Sequence, residues 1–471
     1  VLILGMDEIQ LVTCIESLVG KNILKEIRVE GEVGVTFTHV KLREFVYMNQ
    51  SIGKKRIYHN QIAECLENNL SEQNTDHLLY DNIAFHYKKA RKPLKSLMYK
   101  LMYLERYLGF YHELYPVEVN PRSEGKGSLF FRPEHVLHDF DEISQSFESM
   151  EEKNNEEEYR ELYCQYLYLK GRFFIKYGEY DAGVMNIEKV ILQAKDLRNN
   201  HYLLLAYKQM IYYYIQIDEP EEMNTFIELA LDLSIKENNH QSIGILLRFK
   251  GLYQMMCGNT ESAEKLFKES ISTFMLTDAI AKKYAVNIAA AYNYIGEIRF
   301  NSSSFEEAEE MFKQAIQLCS NKKSLSSLSV FYTNIGAALY AQAKYDEAEE
   351  YLLKSLAIYR ELNTFWKRAR LDAYLSLVYL EKNERDKVKY FLGKGQEFAD
   401  KMKNERDLGI IAFSKAIIEQ RILDENKTLE EEWREFFHVT PTSYAQEAQS
   451  YLNDYQDAYE RLYLNQLFVG L

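Results

Sequence analysis

The chain has 471 residues, 46% of them hydrophobic and 14% aromatic, which suffices for a large buried core and excludes a disordered segment. Only 6 Pro and 20 Gly stand among many Leu, Glu, Lys and Tyr, so helix is favoured throughout. A net charge of −14 excludes a nucleic-acid-binding surface over the chain as a whole, since phosphate contacts need clustered Lys and Arg. Five cysteines, at 14, 65, 164, 257 and 319, form no C-x-x-C pair, which fits free thiols and neither a disulfide framework nor a zinc site. No apolar run approaches the ~20 residues of a membrane span. The expectation is a cytoplasmic chain with no membrane contact. It opens inside an apolar run, Val1-Leu-Ile-Leu4, and so reads as a fragment whose upstream domain is absent.

In chain order, residues 7–22 read as an amphipathic helix with Ile9, Val12, Ile15, Leu18 and Val19 on one face and Asp7 as N-cap. Two short strands, Leu24 to Val29 and Val33 to Thr38, flank the turn Glu30-Gly31-Glu32. A helix followed by a hairpin is the second half of a winged helix. As a DNA-reading helix this one is poorly suited, because its Lys21 stands against Asp7, Glu8 and Glu16. Next come Phe37-Thr-His39, Arg43-Glu44, Tyr47, Lys54-Lys-Arg56, His59, Ala63 and Glu67. This spacing resembles the segment after the nucleotide-binding module in signal-transducing ATPases with numerous domains, including the large ATP-binding transcriptional regulators of bacteria. The resemblance covers residues 7–112. It implies an NTPase upstream of Val1, since no G-x-x-x-x-G-K-[ST] occurs in the chain. It also implies that the winged helix is a relay without direct nucleic-acid contact. On their own, His39 and His59 read as packing or capping residues, without the partners a metal site needs.

A helical hairpin follows from Asp76 to Tyr111, with Pro93 opening its second arm. Residues 116–133 hold three prolines with Gly125 and Gly127 and read as a long exposed loop. Helix resumes over His135 to Met150 before an acidic connection at 151–158.

From Tyr292 one pattern is written twice: Tyr292-Asn-Tyr-Ile-Gly296, Phe305-Glu-Glu-Ala308, Phe312 and Ala315, then Tyr332-Thr-Asn-Ile-Gly336, Tyr345-Asp-Glu-Ala348 and Leu352. Aromatic and small residues in this order describe pairs of closely packed helices, and the pattern resembles the tetratricopeptide repeat. With the small residue of each first helix as marker, copies register at Gly171, Ile211, Gly251, Gly296, Gly336, Ser376 and Ala416, with spacings of 40, 40, 45, 40, 40 and 40. The five extra residues fall around Thr277 to Lys283. A period of 40 exceeds the ordinary ~34 and lengthens the helices. Thr428 and Glu431 read as a capping box, and Ser443 with Gln446 as the start of one long Tyr-rich helix to Phe468. That helix covers the last repeat's core or, alternatively, docks a second subunit.

The fold class expected is therefore all-α: a tetratricopeptide-like α-α superhelix of about seven 40-residue repeats, preceded by a partial winged helix and a helical hairpin. The divisions are 1–70, 71–115, 116–160, 161–440 for the array, and 441–471 for the cap. In such stacks the first helices line the inner surface. Counting from the markers places Tyr168, Arg172, Lys208, Tyr212, Arg248, Met255, Asn293, Phe300, Thr333 and Tyr340 there. Lys208, Arg248 and Asn293 share one position in consecutive copies and form a ladder suited to a carboxylate or a peptide backbone. The plainer reading is that these groups are solvated or pair locally. No phosphate loop, nucleophile elbow or His/Cys/Asp cluster marks catalysis, and neither a cofactor nor a metal is expected. The expected function is a sensor and relay region. The array binds a peptide, a protein or a small inducer and signals to an upstream NTPase. The alternative is a constitutive protein–protein scaffold.

Overall fold

The computed structural model describes residues 6–29, 32–70, 77–108, 133–150, 156–320, 324–362, 365–402, 404–426 and 431–468. The expected loop at 116–133 and the capping residue Thr428 lie outside the described residues, Pro133 excepted. Two compact units emerge: residues 1–109 with 122–166, and residues 110–121 with 167–471.

The first unit opens with α1 (Glu8–Gly20) and an antiparallel hairpin of β1 (Leu24–Val29) and β2 (Glu32–Phe37), paired from Leu24 opposite Phe37 to Val29 opposite Glu32. The apolar face expected on α1 is not covered: Ile9 and Val12 are exposed, and no residue of the helix is buried. Then come α2 (Val40–Met48), α3 (Ile52–Asn68), α4 (His77–Lys89), α5 (Pro93–Leu108) and α6 (Pro133–Glu148). Pro93 stands at the first position of α5, where its missing N–H costs nothing. Along α3, His59, Ala63 and Glu67 recur every fourth residue and therefore share one face, which meets α4 and α5. Glu67 accepts hydrogen bonds from Tyr87, from Tyr99 at 2.8 Å and from Lys95 at 3.2 Å, tying the three helices together. Burial pushes the Glu67 carboxyl up, but these three donors outweigh it and hold the group below its ordinary range.

The second unit is a stack of antiparallel helix pairs. The helix α7 (Glu157–Lys176), which belongs to this unit from residue 167 on, meets α8 (Tyr180–Asp196) through Gly171 and Gly183, and α9 (Asn200–Ile217) pairs with α10 (Pro220–Lys236) and α11 (His240–Met256) with α12 (Thr260–Phe274). The short α13 (Asp278–Lys283), capped by the Thr277 hydroxyl, takes up the extra residues of the long spacing. Four more pairs follow: α14 (Ala285–Asn301) with α15 (Phe305–Ser320), α16 (Leu325–Ala341) with α17 (Tyr345–Leu362), α18 (Arg368–Glu381) with α19 (Arg385–Met402), and α20 (Glu405–Asn426) with α21 (Pro441–Tyr451). The chain ends with α22 (Ala458–Leu467).

Second helices bury one stripe, as in Ala308, Phe312, Ala315 and Cys319 of α15, whereas first helices are covered on nearly every side. The marker glycines explain the close approach. A Cβ on Gly296 would stand 2.6 Å from the Phe312 ring, and one on Gly336 would stand 2.6 Å from Leu352. The turn within each of the first six pairs holds a residue in the left-handed region: Gly178, Asp218, Gly258, Ser303, Ala343 and Asn383. The architecture is a tetratricopeptide-like α-α superhelix, as expected.

The C-terminus differs from expectation. A single helix from Ser443 to Phe468 is replaced by α21, a turn and α22, and the cap of α21 is Thr440, which accepts from the Ser443 N–H at 3.3 Å. Asn453 and Asp457 make the break. Asn453 Oδ1 accepts from the N–H groups of Tyr455 and Gln456, and Asp457 Oδ2 accepts from the N–H of Asn453, which offers the backbone an alternative to helix. In the last pair α21 buries Tyr444, Ala445 and Ala448, and α22 packs against α20 and α21 and also reaches α14.

Candidate functional site

A repeat stack normally touches only its neighbours. Here the inner surface of the second unit also makes contacts across the array. Asn404, beside the start of α20, donates to the carbonyl of Gln216 in α9. Arg406 lies 3.8 Å from Asp218, and the Tyr212 ring meets Trp366 edge-on at 5.8 Å. The C-terminal ends of α9, α11 and α14 thus face the N-terminal ends of α18 and α20.

Between these ends lies a cavity of about 70 Å³, wide enough for several waters. Lys367, Arg370, Arg406, Asp218, Glu297, Asp407, Asn301, Asn404 and Trp366 line it, with Phe300, Gln456 and Asp457. The segment from Asn453 to Glu460 crosses this site and forms one side of it. Arg406 grips Asp457 through two parallel bonds of 2.8 Å, while Arg370 donates to Glu460 at 2.7 Å and Tyr374 donates to the same oxygen at 2.6 Å. Asn301 donates to the Gln456 carbonyl at 2.9 Å and accepts from the Tyr459 N–H at 3.3 Å. The Tyr459 ring packs on Phe300 with centroids 4.7 Å apart.

Burial sets the electrostatics. It works against the charges of Arg370 and Arg406, but the carboxylates around them outweigh it and hold both guanidiniums above their ordinary range. Burial likewise raises Asp457, and the two bonds from Arg406 reverse the shift. Asp407 has no such partner and is pushed up to about 6 by burial, against the pull of Arg406 and Lys367. Burial pushes Lys367 down, with Glu297 at 4.0 Å opposing it. The site is thus dense in charge of both signs, and its strongest cations hold the carboxylates of the C-terminal segment.

All ten inner-surface positions expected from the sequence are buried. Lys208 donates to Ser242 at 3.4 Å, Arg248 to Asn287 at 3.0 Å, and Asn293 to Glu297 at 2.7 Å while accepting from Asn334 at 2.9 Å. The first two bonds, and that from Asn334, run from one first helix to the next, so the ladder joins neighbouring repeats. Arg172 lies over the Tyr168 ring. Thr333 bonds Ser355, Tyr340 meets Tyr374 edge-on, and Met255 is fully buried. Phe300 lines the cavity and Tyr212 touches Trp366 beside it. The sequence reading did not reach Arg370, Arg406, Asn301 or Asn404. They stand near helix ends, away from the marker, and only the curl of the array brings them together.

In the first unit His138, Asp139 and Glu142 cluster on α6, but Asp139 pairs with Lys100 at 3.0 Å and Glu142 with Lys88 at 2.6 Å. These lysines already neutralise the carboxylates a cation would need. Among the described residues no helix is long and apolar enough to cross a membrane.

Residues 287–361 match the family described as tetratricopeptide repeat. In structure the chain is similar to the apo form of the quorum sensor NprR from B. thuringiensis, at 16% identity and a TM-score of 0.50, over 82% of this chain and 97% of that one. It is also similar to a Signal Transduction ATPase with Numerous Domains with a tetratricopeptide repeat sensor from Pyrococcus horikoshii, at 14% identity and a TM-score of 0.47. That match covers 96% of this chain but 59% of the other, so the chain spans well under two thirds of that protein. A Rap protein complexed with Competence and Sporulation Factor is similar at 11% identity and a TM-score of 0.44, over 79% and 96% of the two chains. At these identities the likeness is one of fold. No curated protein matches the chain in sequence.

Proposed function

We propose that the second unit is a protein- or peptide-binding array whose inner surface receives a polypeptide segment. The observation that carries this is that the surface already holds one: residues 453–460 are seated by side chains from α14, α18 and α20. Tyr212 and Phe300 supply apolar contact there, while Tyr168, Arg172, Lys208, Arg248, Met255, Asn293, Thr333 and Tyr340 form the supporting wall. The protein named a quorum sensor and the Rap protein in complex with a named factor add support from the same fold.

The finer reading is a sensor and relay in a regulator with an NTPase preceding residue 1. Its support is the spacing from Phe37 to Glu67, together with the exposed apolar residues Ile9, Val12, Val40, Phe45, Met48 and Ile52 in the first unit, which suit an interface. A small inducer in the cavity is compatible with the same site. Selection of binders from a random peptide library against the full chain tests the binding reading. Binders that weaken at least tenfold on Phe300→Ala and Tyr212→Ala are expected. Binders indifferent to both substitutions would place recognition on another face.

A further inference from the structure

The segment in the inner site is acidic and aromatic, and it fits imperfectly. Resting on the binding function proposed above, we infer that the site is specific for an acidic–aromatic peptide of the type Asp-x-Tyr-Glu, and that the chain's own Asp457-Ala-Tyr459-Glu460 is a resident occupant which such a partner displaces.

Three observations carry this. The seat is specific in chemistry: Arg406 takes Asp457 in the bidentate geometry that selects a carboxylate, Arg370 and Tyr374 converge on one oxygen of Glu460, and Phe300 with Phe305 takes the Tyr459 ring. The occupant leaves polar groups of its own unmet: among the described residues, Glu460 Oε2 and Gln456 Oε1 are buried without a hydrogen-bond partner, and Gln456 lines the cavity. Within Asp457–Glu460 the apolar contact to the seat is the Tyr459 ring, while Tyr463, Leu464 and Phe468 beyond it join the core. Of α22 only Tyr459, Glu460 and Leu464 are buried, while Leu462 and Leu467 are exposed, as is Tyr455 before it. Residues 457–460 meet α14, α18 and α20 chiefly through two charged side chains and one ring, and a peptide that presents the same three groups and leaves no acceptor of its own buried unmet can replace them.

The probe is a fluorescein-labelled synthetic peptide of residues 453–464, measured by polarisation against the full chain and against the full chain carrying Asp457→Asn with Glu460→Gln. The double variant, whose own segment has lost both charges, is expected to bind the peptide at least tenfold more tightly than the unchanged chain does. A peptide with the same two amide replacements is expected to lose that advantage, and so is Arg406→Gln added to the double variant. Equal binding to both chains, or equal binding by the amide peptide, overturns the inference.

A second measurement uses the unchanged chain, so that it does not depend on the variant folding. Hydrogen exchange of residues 453–467 should accelerate several-fold in a large excess of the labelled peptide, and no change overturns displacement. Library binders that need Phe300 but leave residues 453–467 protected would overturn this inference while the binding function stands.

Discussion

Glu419 is a carboxyl group on α20 that is buried, with Oε2 lacking a hydrogen-bond partner among the described residues. Burial pushes it up to about 7, above the ~4.3 of a free glutamate. A raised carboxyl contributes stability at low pH that is lost as pH rises from about 4.3 through about 7. Glu419→Gln should therefore raise the melting temperature at pH 8, with the gain shrinking towards pH 5, as followed by circular dichroism. His59 shows the opposite sign. It lies between Tyr47 at 3.0 Å and His86 at 2.8 Å, and burial lowers both imidazoles. As pH falls below about 6.5 the unfolded chain takes up protons that the folded pair resists, so stability is lost. Limited proteolysis within residues 47–89 should be faster at pH 5.5 than at pH 7.5, and His86→Phe should weaken that dependence.

At the level of helices and turns, the marker glycines admit a direct test. Gly296→Ala places a methyl against Phe312 and should destabilise the second unit by about 1–3 kcal/mol in urea denaturation, the usual range for overpacking. Those glycines were legible because steric contact between paired helices restricts residue type and repeats with the period. The turns were only half legible. Gly178 and Gly258 announce a left-handed residue, but Ser303 and Ala343 occupy the same conformation with side chains that give no sign of it. The C-terminal break is written in Asn453 and Asp457, whose sign is masked by tyrosines that keep helical spacing around them. The ladder from Lys208 to Asn293 recurs at one position of consecutive repeats. Its bonding between repeats was not legible, because Ser242, Asn287 and Asn334 become its partners only once the first helices are stacked. The inner site was still less accessible: Arg406 and Asp218 are 188 positions apart in sequence and meet through the summed curvature of five repeats.

Across the second unit, contacts between distant repeats change how it should unfold. An open stack frays from its ends, because each repeat answers only to its neighbours. Here α9 is bonded to the segment opening α20, and α14, α18 and α20 are all bonded to residues 453–460. Arg406→Gln leaves the Asp457 carboxylate buried with a weakened partner, and loss of one member of such a pair costs about 3–5 kcal/mol. Hydrogen exchange of the variant should show faster opening in α9 and α20 together, whereas the unchanged chain should protect both alike. The turn glycines carry this coupling into the backbone. Gly178 and Gly258 share φ +81, yet a side chain on Gly178 would meet open space and one on Gly258 would fall on the Tyr455 ring. One turn therefore answers to local geometry alone, while the other also holds a clasp. Inheritable change at Gly258 is constrained twice over, and a lineage that abandoned the clasp would be recognisable by the freedom of this single position.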